Sequence, residues 1–350
     1  MDCLPKDTST IKMKAAVLVE IDNPLAVKEV ELTNLQVGQV LIKVLVSGLC
    51  GAQLHEIRGH KGNAKFLPHL MGHEGCGIVQ EVGPGVTTVK VGDKVVMHWR
   101  PGTGIEAPFP SYVMDGKSMS SGKVTTLSEY SIVSENRLTT VPQDTPPELC
   151  AILGCALTTA MGIIDNEVDL KFGESVAVIG TGGVGLNLIQ AASMKSACPI
   201  IAVDNNVSKK DLCLEMGAQK FYTSIEDISG KVDIVIDTTG IPEVISQGIS
   251  ILSNTGRMIL VGQPAPGKFV EVMNAVNLFN GMGQSIKATQ GGKTNPQEDI
   301  PRYVKLHQKG LLNISKLITH TFTLDEVNDA FDLLKTGNAG RIMIKIGDDV

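Results

Sequence analysis

Three stretches carry residues able to do metal or nucleophile chemistry. In SGLCGAQLHEIRG, residues 47–59, Cys50 follows the apolar run VLIKVLV and precedes two potential ligands, His55 and Glu56. In PHLMGHEGCGIVQEVG, His73 and Glu74 sit on a glycine-flanked turn 23 residues after Cys50, and CAILGCALTTAMG places Cys155 far downstream. Cysteine and histidine are borderline-soft ligands suited to zinc. A single cysteine reads equally as a nucleophile or as a small buried hydrophobe. No CxxC spacing forces these residues together, so residue chemistry alone leaves metal, nucleophile and packing open.

A fourth stretch points to a dinucleotide. Within SVAVIGTGGVGLNLIQAA, Gly180, Gly182 and Gly185 form G-x-G-x-x-G after an expected strand, and Gly183 and Val184 open an expected helix. Glycines let backbone approach a pyrophosphate, and a helix N-terminus offers unpaired N–H groups and partial positive charge. Asp204 ends the next strand, IIAVD, 19 residues past the last glycine. An acid there binds the adenosine ribose hydroxyls and repels a 2′-phosphate, which favours NAD over NADP. Lys209 nearby would soften that preference or stand as a solvated helix lysine.

Positioning these residues takes two kinds of element. The first third reads as strands and turns, in KAAVLVE, QVLIKVLV, GIVQEVGPGV and KVGDKVVMHW, and predicts a compact, mostly β domain. From about residue 174, short apolar strands (ESVAVIG, IIAVD, KVDIVID, GRMILVGQ) alternate with helical segments (VGLNLIQAASMKS, SKKDLCLEMGA, PEVISQGISIL). That alternation means βαβ units and an α/β fold with a Rossmann-type, doubly wound parallel sheet. PRYVKLHQKG and LDEVNDAFDLLKTG then predict helices before a last strand, RIMIKI. The expected division is 1–155 with 290–350 as one domain and 156–289 as the dinucleotide domain; 350 residues suit two cores. Residues 101–128 read as one long turn-rich segment.

Net charge of −6 without a dense Lys/Arg run argues against nucleic acid as a partner. Seven cysteines (3, 50, 76, 150, 155, 198 and 213) form an odd set unlike a secreted disulfide framework. MDCLPKDTST lacks an apolar core, and no run is long enough to span a bilayer, so a cytoplasmic protein is expected. His60, His69 and His98 have no pattern of their own and are read as structural or surface histidines, and Cys76 as filler.

The order of elements resembles a known family. A β domain with G-H-E-G, L-G-C before the change of fold, G-T-G-G-V-G and a closing helix and strand is similar to the zinc-dependent alcohol dehydrogenases of the medium-chain dehydrogenase/reductase superfamily. ITHTFTLDEVNDAFDLLKTGNAGR resembles the branch that includes glutathione-dependent formaldehyde dehydrogenases. The resemblance spans nearly the whole chain and implies a GroES-like catalytic domain beside the Rossmann domain. It makes Cys50, His73 and Cys155 the catalytic zinc ligands; this Cys₂His set is the family's own and is not deduced from spacing. Glu74 matches an acid behind the metal that can approach the ion. Arg341 matches an arginine on the cofactor pyrophosphate, His55 an outer proton-relay histidine, and Trp99 an aromatic lining the substrate pocket. The implied chemistry is hydride transfer between NAD(H) and an alcohol or carbonyl compound, with zinc polarising the oxygen. A homodimer or homotetramer is implied too.

The chain departs from the family in three places. Ala52 replaces the Ser or Thr whose hydroxyl relays the alcohol proton, so the route would run through water to His55 or through Glu74. Gln53 stands where many relatives carry an Asp that orients the zinc histidine. No cysteine lies between Met97 and Tyr130, so the structural zinc of many relatives is expected to be missing, leaving one zinc per chain. Low aromatic content, 4%, fits a small or polar alcohol or aldehyde better than a long aliphatic one. Two alternatives keep the nucleotide site: a metal-free NAD(P)H reductase of the same superfamily, and a non-catalytic nucleotide-binding protein.

Overall fold

A computed structural model describes residues 11–60, 66–272 and 283–347; Cys3 and the N-terminal stretch lie outside the described residues. The chain forms two compact units, Met1–Cys155 with Asn295–Thr336 and Arg341–Val350, and Ala156–Thr294 with Gly337–Gly340.

The first unit contains β1 (Lys12–Leu18), β2 (Ala26–Leu32), β3 (Gln39–Gly48), α1 (Gly51–Ile57), β4 (His69–Leu70), β5 (Glu74–Val82) and β6 (Lys94–His98). It continues with β7 (Ser111–Met114), β8 (Lys117–Ser120), β9 (Tyr130–Ser134), β10 (Leu138–Val141) and α2 (Pro147–Leu153). The second unit runs α3 (Ala156–Gly162), β11 (Val176–Ile179), α4 (Gly183–Met194), β12 (Ile200–Val203), α5 (Lys210–Glu215), β13 (Lys220–Tyr222), β14 (Val232–Asp237), α6 (Pro242–Ser250), β15 (Leu252–Leu260) and β16 (Ser285–Ala288). The chain returns to the first unit through α7 (Pro296–Gln308), β17 (Ile318–Thr323), α8 (Val327–Thr336) and β18 (Arg341–Lys345).

In the first unit β1, β2, β7, β8 and β4 close a barrel, and a seven-stranded sheet runs β10-β6-β5-β3-β18-β17 with β9 also on β3. β3 is buried along almost its whole length because neighbours cover it, so its sequence, QVLIKVLVSG, is nearly continuous apolar residues rather than an alternation. Met13, Val17, Val30, Leu32, Leu70 and Tyr112 fill one core. A second gathers Val40, Ile42, Val79, Val95, Met97 and Val133, with Trp99 packed against it.

Residues 101–128 are more ordered than a turn-rich reading suggests. β7 and β8 form an antiparallel hairpin that supplies two barrel strands. Its turn is Asp115-Gly116, both at positive φ (52° and 71°), the backbone that a two-residue hairpin loop of matching twist requires. Glu135 holds the approach to it: Oε1 accepts from the N–H groups of Thr87 and Thr88 (2.7 and 2.8 Å) and Oε2 from Ile105 N–H (2.7 Å). Glu106 binds Lys123, Arg137 and Asn136 alongside. Within this unit, therefore, carboxylates tie down the 101–128 segment.

In the second unit all described strand pairs are parallel, in the order β13-β12-β11-β14-β15-β16. In chain order that is 3-2-1-4-5-6, the Rossmann arrangement, whose strand order reverses beside β11. Among the described residues no single helix is long and apolar enough to cross a membrane.

Candidate metal centre and cofactor site

Sheet pairing explains why residues distant in sequence meet. β3 and β5 are antiparallel, with Ser47 opposite Gly75, so the segment leaving β3 lies beside the segment entering β5. The first carries Cys50, two residues past the strand and just before α1, and the second His73, just before β5. β18 is antiparallel to β3, with Met343 opposite Gly48, and brings Arg341 to the same end. Cys155 arrives on the turn after α2. Gly154 permits this approach: a Cβ there would stand 2.3 Å from the Met97 carbonyl oxygen and 2.8 Å from Glu74 Cα. Its φ of −67° is ordinary, so the need is steric rather than conformational. Gly72 has both needs, with φ of +96° and no room for a Cβ beside Thr126.

One ligand atom each from Cys50, His73 and Cys155 lies within 4.8 Å of the others. Tetrahedral zinc with Zn–S of about 2.3 Å and Zn–N of about 2.0 Å needs ligand atoms roughly 3.5–3.8 Å apart. The cluster therefore suits zinc after a small contraction, and three protein ligands leave a fourth position. Two cysteines, a histidine and an open position is the arrangement already familiar from alcohol dehydrogenase. Both cysteines are buried. Between themselves the thiols share a hydrogen bond: a bond from Cys155, together with His73 and Arg341, pulls the Cys50 thiol well below its usual range, while the same partner and burial push Cys155 up. Without a metal the pair thus favours one negative charge; a divalent ion favours both thiolates.

Glu74 is not among the three gathered ligands. Its carboxylate is fully buried and ion-paired with Arg341, itself only 3% exposed. Burial pushes the Glu74 carboxyl up, opposed by the Arg341 charge. Gly48 lies over this pair, where a Cβ would come within 2.9 Å of both partners. Arg341, read from the resemblance as a pyrophosphate contact, is thus held in the first unit at Glu74.

Gln53 is fully buried, and its Oε1 accepts from Cys50 N–H at 2.8 Å, so it fixes the start of α1. Its Nε2 has no partner among the described residues. His55 lies on α1 one turn beyond Ala52, and its Nδ1 is 3.4 Å from His60 Nδ1. Gly59, at φ of +70°, ends α1 so that His60 N–H reaches the His55 carbonyl at 2.8 Å. Trp99 packs on the second core, and its carbonyl accepts from Arg137. His98 is buried between the Arg100 carbonyl (2.7 Å) and Thr139 hydroxyl (3.0 Å), which makes it structural. Burial is the main cause lowering its pKa to about 4.

In the second unit the glycines divide their work. Gly180 has φ of +83°, and a Cβ would strike Thr238; a Cβ on Gly185 would sit 2.0 Å from the Gly180 carbonyl oxygen. Gly182 is different, because a Cβ there would meet nothing within 4 Å. Protein packing does not require that glycine, whereas a phosphate approaching the backbone would. Gly182 also caps α4 without a side chain, and Gly183 and Val184 begin the helix, so the first-turn N–H groups are left uncapped by a side chain and could receive an anion. Asp204, just past β12, accepts from Thr181 and Asn206, and Lys209 Nζ lies 3.0 Å from its Oδ2. Burial would raise the Asp204 carboxyl, but Lys209 and these hydrogen bonds outweigh it and hold it down.

A barrel unit with a Cys-His-Cys cluster whose two cysteines are buried, and a Rossmann unit with a bare glycine turn, fit a metal-dependent, dinucleotide-linked dehydrogenase. The chain matches the family models for the alcohol dehydrogenase GroES-like domain over residues 36–143 and for zinc-binding dehydrogenase over 183–309. Alcohol dehydrogenase 6 of Peromyscus maniculatus is 31% identical, over 95% of this chain and 98% of the relative. S-(hydroxymethyl)glutathione dehydrogenase of Synechocystis sp. is 30% identical over 95% and 100%. The crystal structure of benzyl alcohol dehydrogenase from Acinetobacter calcoaceticus superposes with a TM-score of 0.87 at 28% identity, covering 96% and 100%. The chain belongs to the zinc-dependent alcohol dehydrogenase family of the medium-chain dehydrogenase/reductase superfamily. It is an NAD-linked oxidoreductase of alcohols and carbonyl compounds.

Proposed function

We propose that Cys50, His73 and Cys155 hold one catalytic zinc per chain, that the glycine turn and Asp204 bind NAD in preference to NADP, and that the substrate is a small or polar alcohol or its carbonyl partner. The convergence of three soft ligand atoms within 4.8 Å carries the reading. When bound, zinc supplies Lewis acidity at the substrate oxygen, and the nicotinamide accepts or returns the hydride.

The chain's own residues do the rest. Two thiolates offset the charge of a divalent ion, and burial keeps bulk water from the ligands. Arg341 holds Glu74 behind the cluster. Ala52 offers no hydroxyl, so the substrate proton leaves by water to His55, whose partner His60 is exposed. A single zinc agrees with the absence of cysteine between Met97 and Tyr130. Packing of the sole tryptophan, Trp99, on a core and the 4% aromatic content support a polar substrate. A cytoplasmic homodimer or homotetramer completes the reading.

The test is a screen of NADH formation across alcohols, diols and hydroxymethyl-thiol adducts, with zinc per chain measured on the same sample. We expect turnover on at least one class with about one zinc per chain. Turnover that persists in zinc-free protein would favour the metal-free reductase instead.

A further inference from the structure

Asp204 is tied to the glycine turn itself. Its Oδ2 accepts from both the backbone N–H and the hydroxyl of Thr181, each at 2.8 Å, and from Lys209 Nζ at 3.0 Å; its Oδ1 accepts from Asn206 N–H at 3.0 Å. Thr181, the residue between Gly180 and Gly182, is fully buried, and the Asp204 and Lys209 side chains are only 8% and 11% exposed. Three of the four donors are held by turns of the backbone; the lysine alone hangs on a flexible stem.

The geometry points to Thr181 as a specificity-determining positioning residue, which pins the Asp204 carboxylate and draws Lys209 onto it so that a 2′-phosphate meets a fixed negative charge with the nearby cation already engaged. This rests on the assignment of Asp204 to the adenosine ribose. Removing the hydroxyl takes away one of the two Thr181 bonds that fix Oδ2. The carboxylate then gains freedom to turn aside, and Lys209 is released to meet a phosphate. Both changes favour NADPH over NADH. Serine at the same position restores the hydroxyl and with it the latch.

Dissociation constants for NADH and NADPH, measured by titration calorimetry on wild type, Thr181→Val, Thr181→Ser and Asp204→Ala, test this. We expect Thr181→Val to shrink the NADPH-to-NADH ratio of dissociation constants about tenfold, the worth of roughly one hydrogen bond to a charged group, chiefly through tighter NADPH. Thr181→Ser should keep the wild-type ratio. An unchanged ratio in Thr181→Val while Asp204→Ala moves it overturns the role of Thr181 and leaves the ribose assignment standing. An unchanged ratio in Asp204→Ala overturns the ribose assignment and the latch with it. If thermal melting shows that Thr181→Val does not fold, Thr181→Ala is read by the same criteria.

Discussion

In the first unit the ligand atoms come from just after β3, just before β5 and the turn after α2, at positions 50, 73 and 155. In the second, the glycine turn, its helix and the acid all fall between 180 and 204. The metal cluster is assembled by long-range backbone approach, at glycines with no room for a Cβ, whereas the dinucleotide turn is assembled by local chain geometry. The two sites should therefore fail separately. A substitution that empties one ought to leave the other intact.

The largest expected effect comes from removing a ligand. Cys50→Ala or His73→Ala should lower kcat/KM by at least about 10³-fold, because metal polarisation supplies several kcal/mol of transition-state stabilisation. NADH affinity, measured by titration, should stay within about twofold of wild type, since the glycine turn and Asp204 are untouched by either substitution. Loss of NADH binding in either variant would break the comparison. Gly154→Ala comes next. Its methyl cannot fit against Met97 and Glu74, so zinc content and activity should fall together and stability drop by about 1–3 kcal/mol, read by metal analysis and denaturant melts. A Gly154→Ala protein with full zinc would show that the close approach is not what seats Cys155.

The reverse experiment is Asp204→Ala, which should leave zinc content unchanged while the preference for NAD over NADP relaxes about tenfold, roughly the loss of one charge repulsion. An unaltered NAD/NADP ratio in steady-state kinetics would count against the ribose role.

How much of this a reader could see in the sequence follows from the same contrast. G-x-G-x-x-G, the strand before it, the helix after it and Asp204 form a local pattern whose spacing is the geometry, so the α/β sheet and its turn are legible directly. Cys50, His73 and Cys155 have no spacing rule, and only the family resemblance joins them; pairing of β3 with β5 and the bare backbone at Gly154 are invisible until the chain is folded. The hairpin β7–β8 was legible but easily passed over, because Asp115-Gly116 is a strong turn signal inside a stretch rich in Ser, Gly and Pro. The Thr181–Asp204–Lys209 contacts could not be read, since spacing places the lysine near the acid but does not say which way it turns.

Two smaller effects sharpen the view of the first unit as a rigid support. His98 is buried and neutral, with a pKa of about 4 in the fold against about 6.5 when unfolded. Its contribution to stability is complete above pH 6.5 and is lost as pH falls toward 4, where only the unfolded chain takes up the proton. Over that window wild type should lose on the order of 3 kcal/mol relative to His98→Gln, read from denaturant midpoints at each pH. Parallel pH curves would place His98 in solvent. For Glu106, burial raises the carboxyl, but Lys123, Asn136 and Arg137 outweigh it and hold it at about 2. Glu106→Gln should cost about 1 kcal/mol or less at neutral pH, because the carboxylate is partly exposed and screened. The wild-type advantage should vanish as pH falls from about 4.5 toward 2. A melting temperature independent of this substitution at pH 7 would remove Glu106 from the supports of the 101–128 lobe.

The most direct test is zinc per chain, NADH affinity and NADH formation measured on one preparation of wild type and of Cys155→Ser. We expect wild type to hold about one zinc per chain, and Cys155→Ser to lose the metal and the turnover together while still binding NADH. Wild-type turnover by a zinc-free Cys155→Ser protein would contradict a catalytic metal held by Cys50, His73 and Cys155.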